Sequence, residues 1–183
     1  MVVGVLAFQG AVSEHISMLR ACGVPGIEVR SVGDLKSVDR LIIPGGESTT
    51  MGKLLSRFKL DSAIIDRVLK GMPVFGTCAG LILLAKNIQG SKQKRLGLLD
   101  VTIKRNDYGR QVDSFEEEIA VRDFDAPFPA VFIRAPVIKS ARCVEVLARL
   151  DTPVFVRQGN ILGSTFHPEL TKDIRIHKYF IGL

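Results

Sequence analysis

The sequence predicts an α/β protein built on an open sheet, mixed but mainly parallel, with helices on both faces. Two observations carry this. In the first half, short apolar runs alternate with helix-patterned segments, as a buried parallel sheet with crossover helices requires. In the second half, strand-like segments follow one another across short turns and add further β structure. At 183 residues, one domain spanning 1–183 is expected, and it is long enough to bury a sizeable core.

The elements follow in chain order. VVGVLAF (2–8) is a continuous apolar run, as expected of a strand covered on both faces. Residues 11–23 place apolar side chains at 12, 16 and 19 and end in Gly23, a helix with its stop signal. IEVRSV (27–32) alternates like a strand, and RLIIPGG (40–46) is a short buried strand ending in a Pro-Gly-Gly bend. Helices are expected over 48–58, with Ser48 as N-cap, and over 61–71, with Asp61 in the capping position. Strand 73–78 then runs into helix 79–85. Strands are expected over 96–105, 115–121, 130–138, 144–150, 153–159 and 161–166, with a two-residue hairpin turn at Gly159-Asn160. A last helix covers 171–182.

Composition narrows the function classes. Hydrophobic residues make up 46% and charged residues 24%, which is ordinary for a globular chain. The net charge of +6 comes from scattered Lys and Arg. Their one short cluster, SKQKR (91–95), has no interleaved aromatics and reads as a solvated loop. No nucleic-acid partner is expected; an acidic protein partner suits a basic surface better. The three cysteines, at 22, 78 and 143, are far apart and form no C-x-x-C. Neither a disulfide framework nor a metal site is expected, and a reducing cytoplasm fits. The apolar N-terminus reads as a first strand and not a signal peptide, and no run approaches a membrane span.

Three motifs carry chemistry. GTCAG (76–80) has the form G-x-C-x-G, the cysteine version of the nucleophile elbow. The glycines let strand and helix approach closely, and the helix N-terminus behind Cys78 favours the thiolate. In STFHPEL (164–170), Glu169 stands two residues after His167. Alternation along an extended chain would put both on one side, so the carboxylate would fix the imidazole tautomer. In IIPGGES (42–48), two glycines at a strand end offer backbone N–H groups to an oxyanion or another anion. Each motif alone has a plainer reading: a core cysteine, a histidine on a surface loop, an ordinary glycine turn. Together they make a complete acyl-transfer site at the carboxyl edge of a parallel sheet.

In this order and over this length, the three motifs resemble the class I, triad-type glutamine amidotransferases, whose fold is flavodoxin-like. LAFQGAVSEH (6–15), PGGESTT (44–50), GTCAGLILLA (76–85), RNDYGRQVDSFE (105–116), FIRAP (132–136) and FHPEL (166–170) resemble one branch, the glutaminase subunit of pyridoxal 5'-phosphate synthase. The resemblance covers nearly the whole chain. It departs at Thr165, where the branch more often has serine. It implies Cys78 as nucleophile, His167 as base and Glu169 as orienter. It implies an oxyanion hole from the N–H groups of Gly46 and Ala79, and glutamine binding by Gly46, Glu47, Ser48, Arg105, Ile133 and Arg134.

The implied reaction is hydrolysis of L-glutamine to glutamate and ammonia through a γ-glutamyl thioester, with no cofactor and no metal. The implied partner is a (β/α)8-barrel synthase subunit that makes pyridoxal 5'-phosphate (vitamin B6) from the channelled ammonia. The two would form a large hetero-oligomer with equal numbers of both subunits, with little glutaminase activity until docking completes the oxyanion hole. His15, on a helix face beside Glu14, is expected to be structural or at an interface. Two rivals stand beside this reading. One is a glutaminase serving another ammonia-using synthase. The other is a cysteine-elbow stress or deglycase-like protein, which would not need H-P-E.

Overall fold

The computed structural model describes residues 1–105 and 114–183. Most of the 105–116 stretch singled out above therefore lies outside the described residues. Strands β1 (Val3–Leu6), β2 (Gly26–Val29), β3 (Arg40–Ile43) and β4 (Val74–Thr77) belong to one sheet. The second half adds β10 (Glu145–Arg149), β11 (Pro153–Gln158) and β12 (Ile161–Ser164). The seven strands lie in the order β10-β11-β12-β4-β3-β1-β2. From β12 to β2 every pairing is parallel, while β10, β11 and β12 pair antiparallel. The mixed, mainly parallel sheet expected from the sequence is present.

Helices cover both faces. Helices α1 (Val12–Ala21) and α6 (Arg175–Ile181) pack on one face. Helices α2 (Val32–Lys36), α3 (Ser48–Arg57), α4 (Leu60–Leu69) and α5 (Ala79–Leu84) pack on the other. Strand alternation feeds the two cores separately. On β3, Leu41 and Ile43 join the first-named helices' opposite layer, the α2–α5 core, while Ile42 joins the α1–α6 core. The α1–α6 side is aromatic: Phe75, Phe128, Phe132, Phe155, Phe166 and Phe180 are all fully buried. Burying one such ring contributes about 1.5–3 kcal/mol.

Strands β5 (Ala85–Ile88), β6 (Leu99–Lys104) and β9 (Val137–Ala141) form a second small sheet. Strands β7 (Ser114–Ile119) and β8 (Phe128–Ile133) form a hairpin.

Several local expectations need correction. The side chain capping α3 is Glu47, not Ser48: its carboxylate accepts from the N–H groups of Thr49 and Thr50. Lys59, left-handed at φ 56°, precedes α4, so Asp61 sits inside the first turn and accepts from Ser56 Oγ. The strand expected over 130–138 is broken, because Arg134 adopts φ 42° and Pro136 follows. The last helix begins at Arg175, after a 3-10 turn over Pro168–Leu170. Helix α2 and strand β5 were not expected; the capping box of Ser31 and Asp34 was the one signal for α2, a helix of only five residues. The turn at Gly159-Asn160 is found: Gln158 pairs with Ile161 across it, and Gly159 takes φ 58°.

The topology positions a site. The chain runs outward from β1 to β2, then returns to place β3 on the other side of β1. Ligand crevices lie outside the carboxyl ends of strands at such a reversal. The segments leaving β1, β3, β4 and β12 at that edge carry Gln9, Gly46, Cys78 and His167.

Candidate active site

Strand β4 turns into α5 at Cys78, which has φ 49° and ψ −103°. A non-glycine residue held there costs about 1–3 kcal/mol and persists only when its surroundings fix it. Here the Cys78 N–H donates to the Ser164 carbonyl at 2.9 Å. A Cβ on Gly80 would lie 1.9 Å from the Ile43 carbonyl oxygen, and one on Gly76 would lie 2.6 Å from the Gly80 carbonyl carbon. The G-x-C-x-G spacing is thus the spacing at which strand, turn and helix touch backbone to backbone. The Cys78 thiol faces the Ile133 carbonyl at 3.9 Å.

His167 leaves β12, and its N–H donates to the Val131 carbonyl of β8 at 2.8 Å. Pro168 then opens the 3-10 turn. The turn, and not strand alternation, brings Glu169 Oε1 to 2.8 Å from His167 Nδ1. The Gly45 side of the Pro-Gly-Gly bend lies against the ring: a Cβ there would come within 2.5 Å of His167 Cε1. Thr165, the departure noted above, is buried, and its N–H bonds the Val154 carbonyl.

The electrostatics fit a charged pair. Burial, the largest single influence, pulls His167 down. Hydrogen bonds to Cys78 and Glu169, with the charges of both, outweigh it and push the imidazole up to about 10. For Glu169, burial pushes the carboxyl up, but the neighbouring His15 and the hydrogen bond and charge of His167 bring it below its usual value.

Cys78, Ala79 and His167 open on a cavity of about 450 Å³. Gly46, Glu47, Ser48, Arg105, Ile133 and Arg134 line the same cavity, while Glu169 sits behind His167 with 4% of its surface exposed. Arg105 is held in place by Thr49 Oγ1 at 3.1 Å and Gln93 Oε1 at 2.8 Å, with Glu47 at 3.5 Å. Burial raises the Glu47 carboxyl, but hydrogen bonds from Thr50 and Thr49 hold it at about 2, so it is ionised at neutral pH.

Sequence reasoning missed several neighbours of the cavity. Gln9 lines it and accepts the Glu47 N–H at 2.9 Å, which anchors the Pro-Gly-Gly loop. A polar residue directly after an apolar run, on the segment leaving β1, was the available signal. Gly10 packs so closely that a Cβ would lie 1.7 Å from the Gly45 carbonyl oxygen. Gln93, in the segment read as a solvated loop, bonds Ser48, Thr49 and Arg105. His15, expected to be structural or at an interface, is fully buried beneath Glu169, which favours the first alternative.

A second concavity, of about 400 Å³ between α1 and β2, is lined by Ile16, Arg20 and Gly23–Gly26 and holds no nucleophile or base. Among the described residues no cluster of His, Cys, Asp and Glu could hold a metal ion, and no helix is long and apolar enough to cross a membrane.

Comparison with known proteins points the same way as this geometry. The pyridoxal 5'-phosphate synthase subunit PdxT of Desulforamulus reducens is 53% identical over 186 residues, covering 100% of this chain and 99% of the relative. That of Thermotoga maritima is 50% identical, with the same coverage of 100% and 99%. A solved glutamine amidotransferase structure superposes with a TM-score of 0.96 at 50% identity, covering 100% of this chain and 98% of that one. PurLQS from Thermotoga maritima, at 17% identity and a TM-score of 0.71 with 99% and 97% coverage, shares the fold. With a model of the SNO glutamine amidotransferase family also matching residues 5–183, the chain belongs to that family.

Proposed function

We propose that the chain is the glutamine-hydrolysing subunit of a pyridoxal 5'-phosphate synthase, acting as one amidotransferase unit over 1–183. One observation carries the reading. Glu169 fixes His167 Nδ1 at 2.8 Å, and the ring opens with Cys78 on one cavity beside two glycines and two arginines.

The Cys78 sulfur, paired with protonated His167, attacks the side-chain amide carbon of glutamine. The tetrahedral oxyanion is met by the N–H groups of Gly46 and Ala79; one such donor contributes about 10²–10³ in rate. His167 gives its proton to the departing nitrogen, ammonia leaves, and a γ-glutamyl thioester remains. A water then loses its proton to His167 and attacks the thioester, which releases glutamate and restores the thiolate. Arg105 and Arg134 supply cations for the α-carboxylate, ionised Glu47 an acceptor for the α-ammonium, and Ser48 and Ile133 the flanking contacts.

Ammonia in bulk water at neutral pH is mostly protonated and a poor nucleophile, so it passes directly to a docked synthase. The partner is a (β/α)8-barrel synthase subunit present in equal number, and docking completes the oxyanion hole. Three free thiols suit a reducing cytoplasm.

The test is ammonia release from glutamine, with and without the synthase subunit, for the wild type and Cys78→Ala. Strong release only in the wild-type complex, with the variant down at least about a thousandfold, is expected. Glutamine hydrolysis that survives in Cys78→Ala, or that does not respond to the synthase, would overturn the assignment.

A further inference from the structure

Behind the cavity lies a set of buried polar side chains that the mechanism above does not use. His15 on α1 and His177 on α6 are both fully buried, and Thr77 on β4 joins them. Alternation turns Thr77 toward the α1–α6 face. His15 Nε2 lies 3.4 Å from Glu169 Oε2 and 3.4 Å from Thr77 Oγ1, while His15 Nδ1 lies 3.0 Å from His177 Nε2.

We propose that His15 is a positioning residue for Glu169: neutral His15 donates its Nε2–H to Glu169 Oε2, and His177 locks that tautomer by donating Nε2–H to His15 Nδ1. The catalytic consequence rests on the glutaminase reading; the tautomers do not.

Hydrogen-bond accounting selects this arrangement. Glu169 uses Oε1 for His167, which leaves Oε2 buried without a hydrogen-bond partner and 3.4 Å from His15 Nε2. A buried carboxylate oxygen needs a donor. Thr77 Oγ1 can donate or accept, whereas the carboxylate oxygen can only accept, so a proton on Nε2 answers the atom that lacks a donor. Neutral His15 then has a lone pair at Nδ1, so the donor in the 3.0 Å contact must be His177 Nε2. That leaves His177 Nδ1 as a bare acceptor, and it is the buried His177 atom without a partner.

The opposite tautomers fail twice. They point the His15 Nε2 lone pair at a carboxylate, and they bury an unpaired N–H on His177. An orphaned donor is the rarer and costlier of the two faults. The groups facing His15 agree. Burial, first of its influences, holds His15 below its usual value against the attraction of Glu169 and the more distant Glu14, with His167 adding to the lowering. Burial and then His15 hold His177 down to about 3. Both rings are neutral, so His15 serves Glu169 through an N–H dipole and not through a full charge. The carboxylate is thereby gripped from two sides, with Oε1 aimed at His167.

Two measurements test this. In long-range nitrogen–proton spectra of the full chain with labelled histidines, His15 and His177 should each show a protonated Nε2 and an unprotonated Nδ1 at pH 7 to 8. A protonated His15 Nδ1 would overturn the proposal while leaving the glutaminase reading intact. In the complex with its synthase, His15→Phe fills the space but removes the donor. It should lower kcat roughly tenfold to a hundredfold, the loss expected when a hydrogen bond to a charged group goes, with KM changed less than about twofold. The acid limb of its pH profile should move up, because Glu169, short of a donor, protonates more easily. His15→Gln, whose amide N–H can replace Nε2–H, should restore most of the rate. Wild-type kcat and pH limits in His15→Phe, or no recovery in His15→Gln, would sink the idea. A wild-type complex without glutaminase activity would instead sink the functional reading, and the spectra would still decide the tautomers.

Discussion

Burial opposes charge at His167 and at Glu169, and in both residues short-range partners overrule it. The imbalance at His167 has a consequence for stability. The folded chain holds its proton up to about 10, whereas an unfolded imidazole titrates near 6.5. A raised folded-state value contributes stability that is fully present below about pH 6.5 and is lost as pH rises toward 10. Urea unfolding followed from pH 6 to pH 10 should show this decline. Cys78→Ala removes the first-named of the groups that raise His167, so its decline should be shallower. Parallel curves for the two proteins would mean that the sulfur does not hold the imidazole. At this scale Cys78 was legible because the G-x-C-x-G spacing has a local geometric meaning, and His167 with Glu169 because they stand two residues apart, although a 3-10 turn and not strand alternation joins them. His15 was not. Its contacts with Thr77 and His177 span 62 and 162 positions, so although the apolar residues at 12, 16 and 19 mark the buried face of α1, nothing local announces which polar groups His15 meets there.

Elements were legible where hydrophobic period and punctuation agreed, and misread where backbone angle decided. Arg134 breaks a continuous apolar run with φ 42°, and Lys59 starts α4 from a left-handed turn; neither residue type advertises that conformation. Helix α2 is only five residues long, too short for a periodic signal. Glycines separate the two kinds of element boundary sharply. At Gly80, on α5, the atom that a methyl would strike is the backbone carbonyl of Ile43 at 1.9 Å, so β3 and α5 would have to part. Gly80→Ala should cost about 1–3 kcal/mol, as overpacking does, and should also displace the Cys78 turn, with glutaminase activity falling more than stability explains. At Gly33, inside α2, a Cβ would meet only Ser31 Oγ at 3.4 Å, ordinary contact distance. Gly33→Ala should be neutral or stabilising by up to about 1 kcal/mol, through the smaller entropy of the unfolded chain. Chemical denaturation of both variants decides the matter. Equal effects would show that the α5 contact is not rigid.

The whole molecule makes the site by threading its second half back into the sheet of the first. Strand β12 inserts beside β4, so Ser164 receives the Cys78 N–H and the chain delivers His167 to the same edge. The 89 positions between Cys78 and His167 are thus closed by one parallel pairing, which no local pattern could reveal. The order of motifs and the strand-like runs between them indicated only that a return must occur. Asn160 fastens that return at the opposite end of β12. Its Nδ2 donates to the carbonyls of Val68 at 3.0 Å and Met72 at 2.8 Å, joining the β11–β12 turn to the end of α4. Asn160→Ala removes both bonds; the Val68 carbonyl keeps the Gly71 N–H at 3.0 Å, while the Met72 carbonyl loses its Asn160 donor. The cost should be about 1–3 kcal/mol, which lowers Tm by roughly 2–10 °C in a domain of this size. The backbone pairings of β12 with β4 and β11 are untouched, so the cavity end of the strand should keep its register. The complexed variant, assayed well below its Tm, should therefore hydrolyse glutamine at the wild-type rate. A lower kcat at unchanged Tm would mean instead that this turn sets the position of His167 through the length of β12.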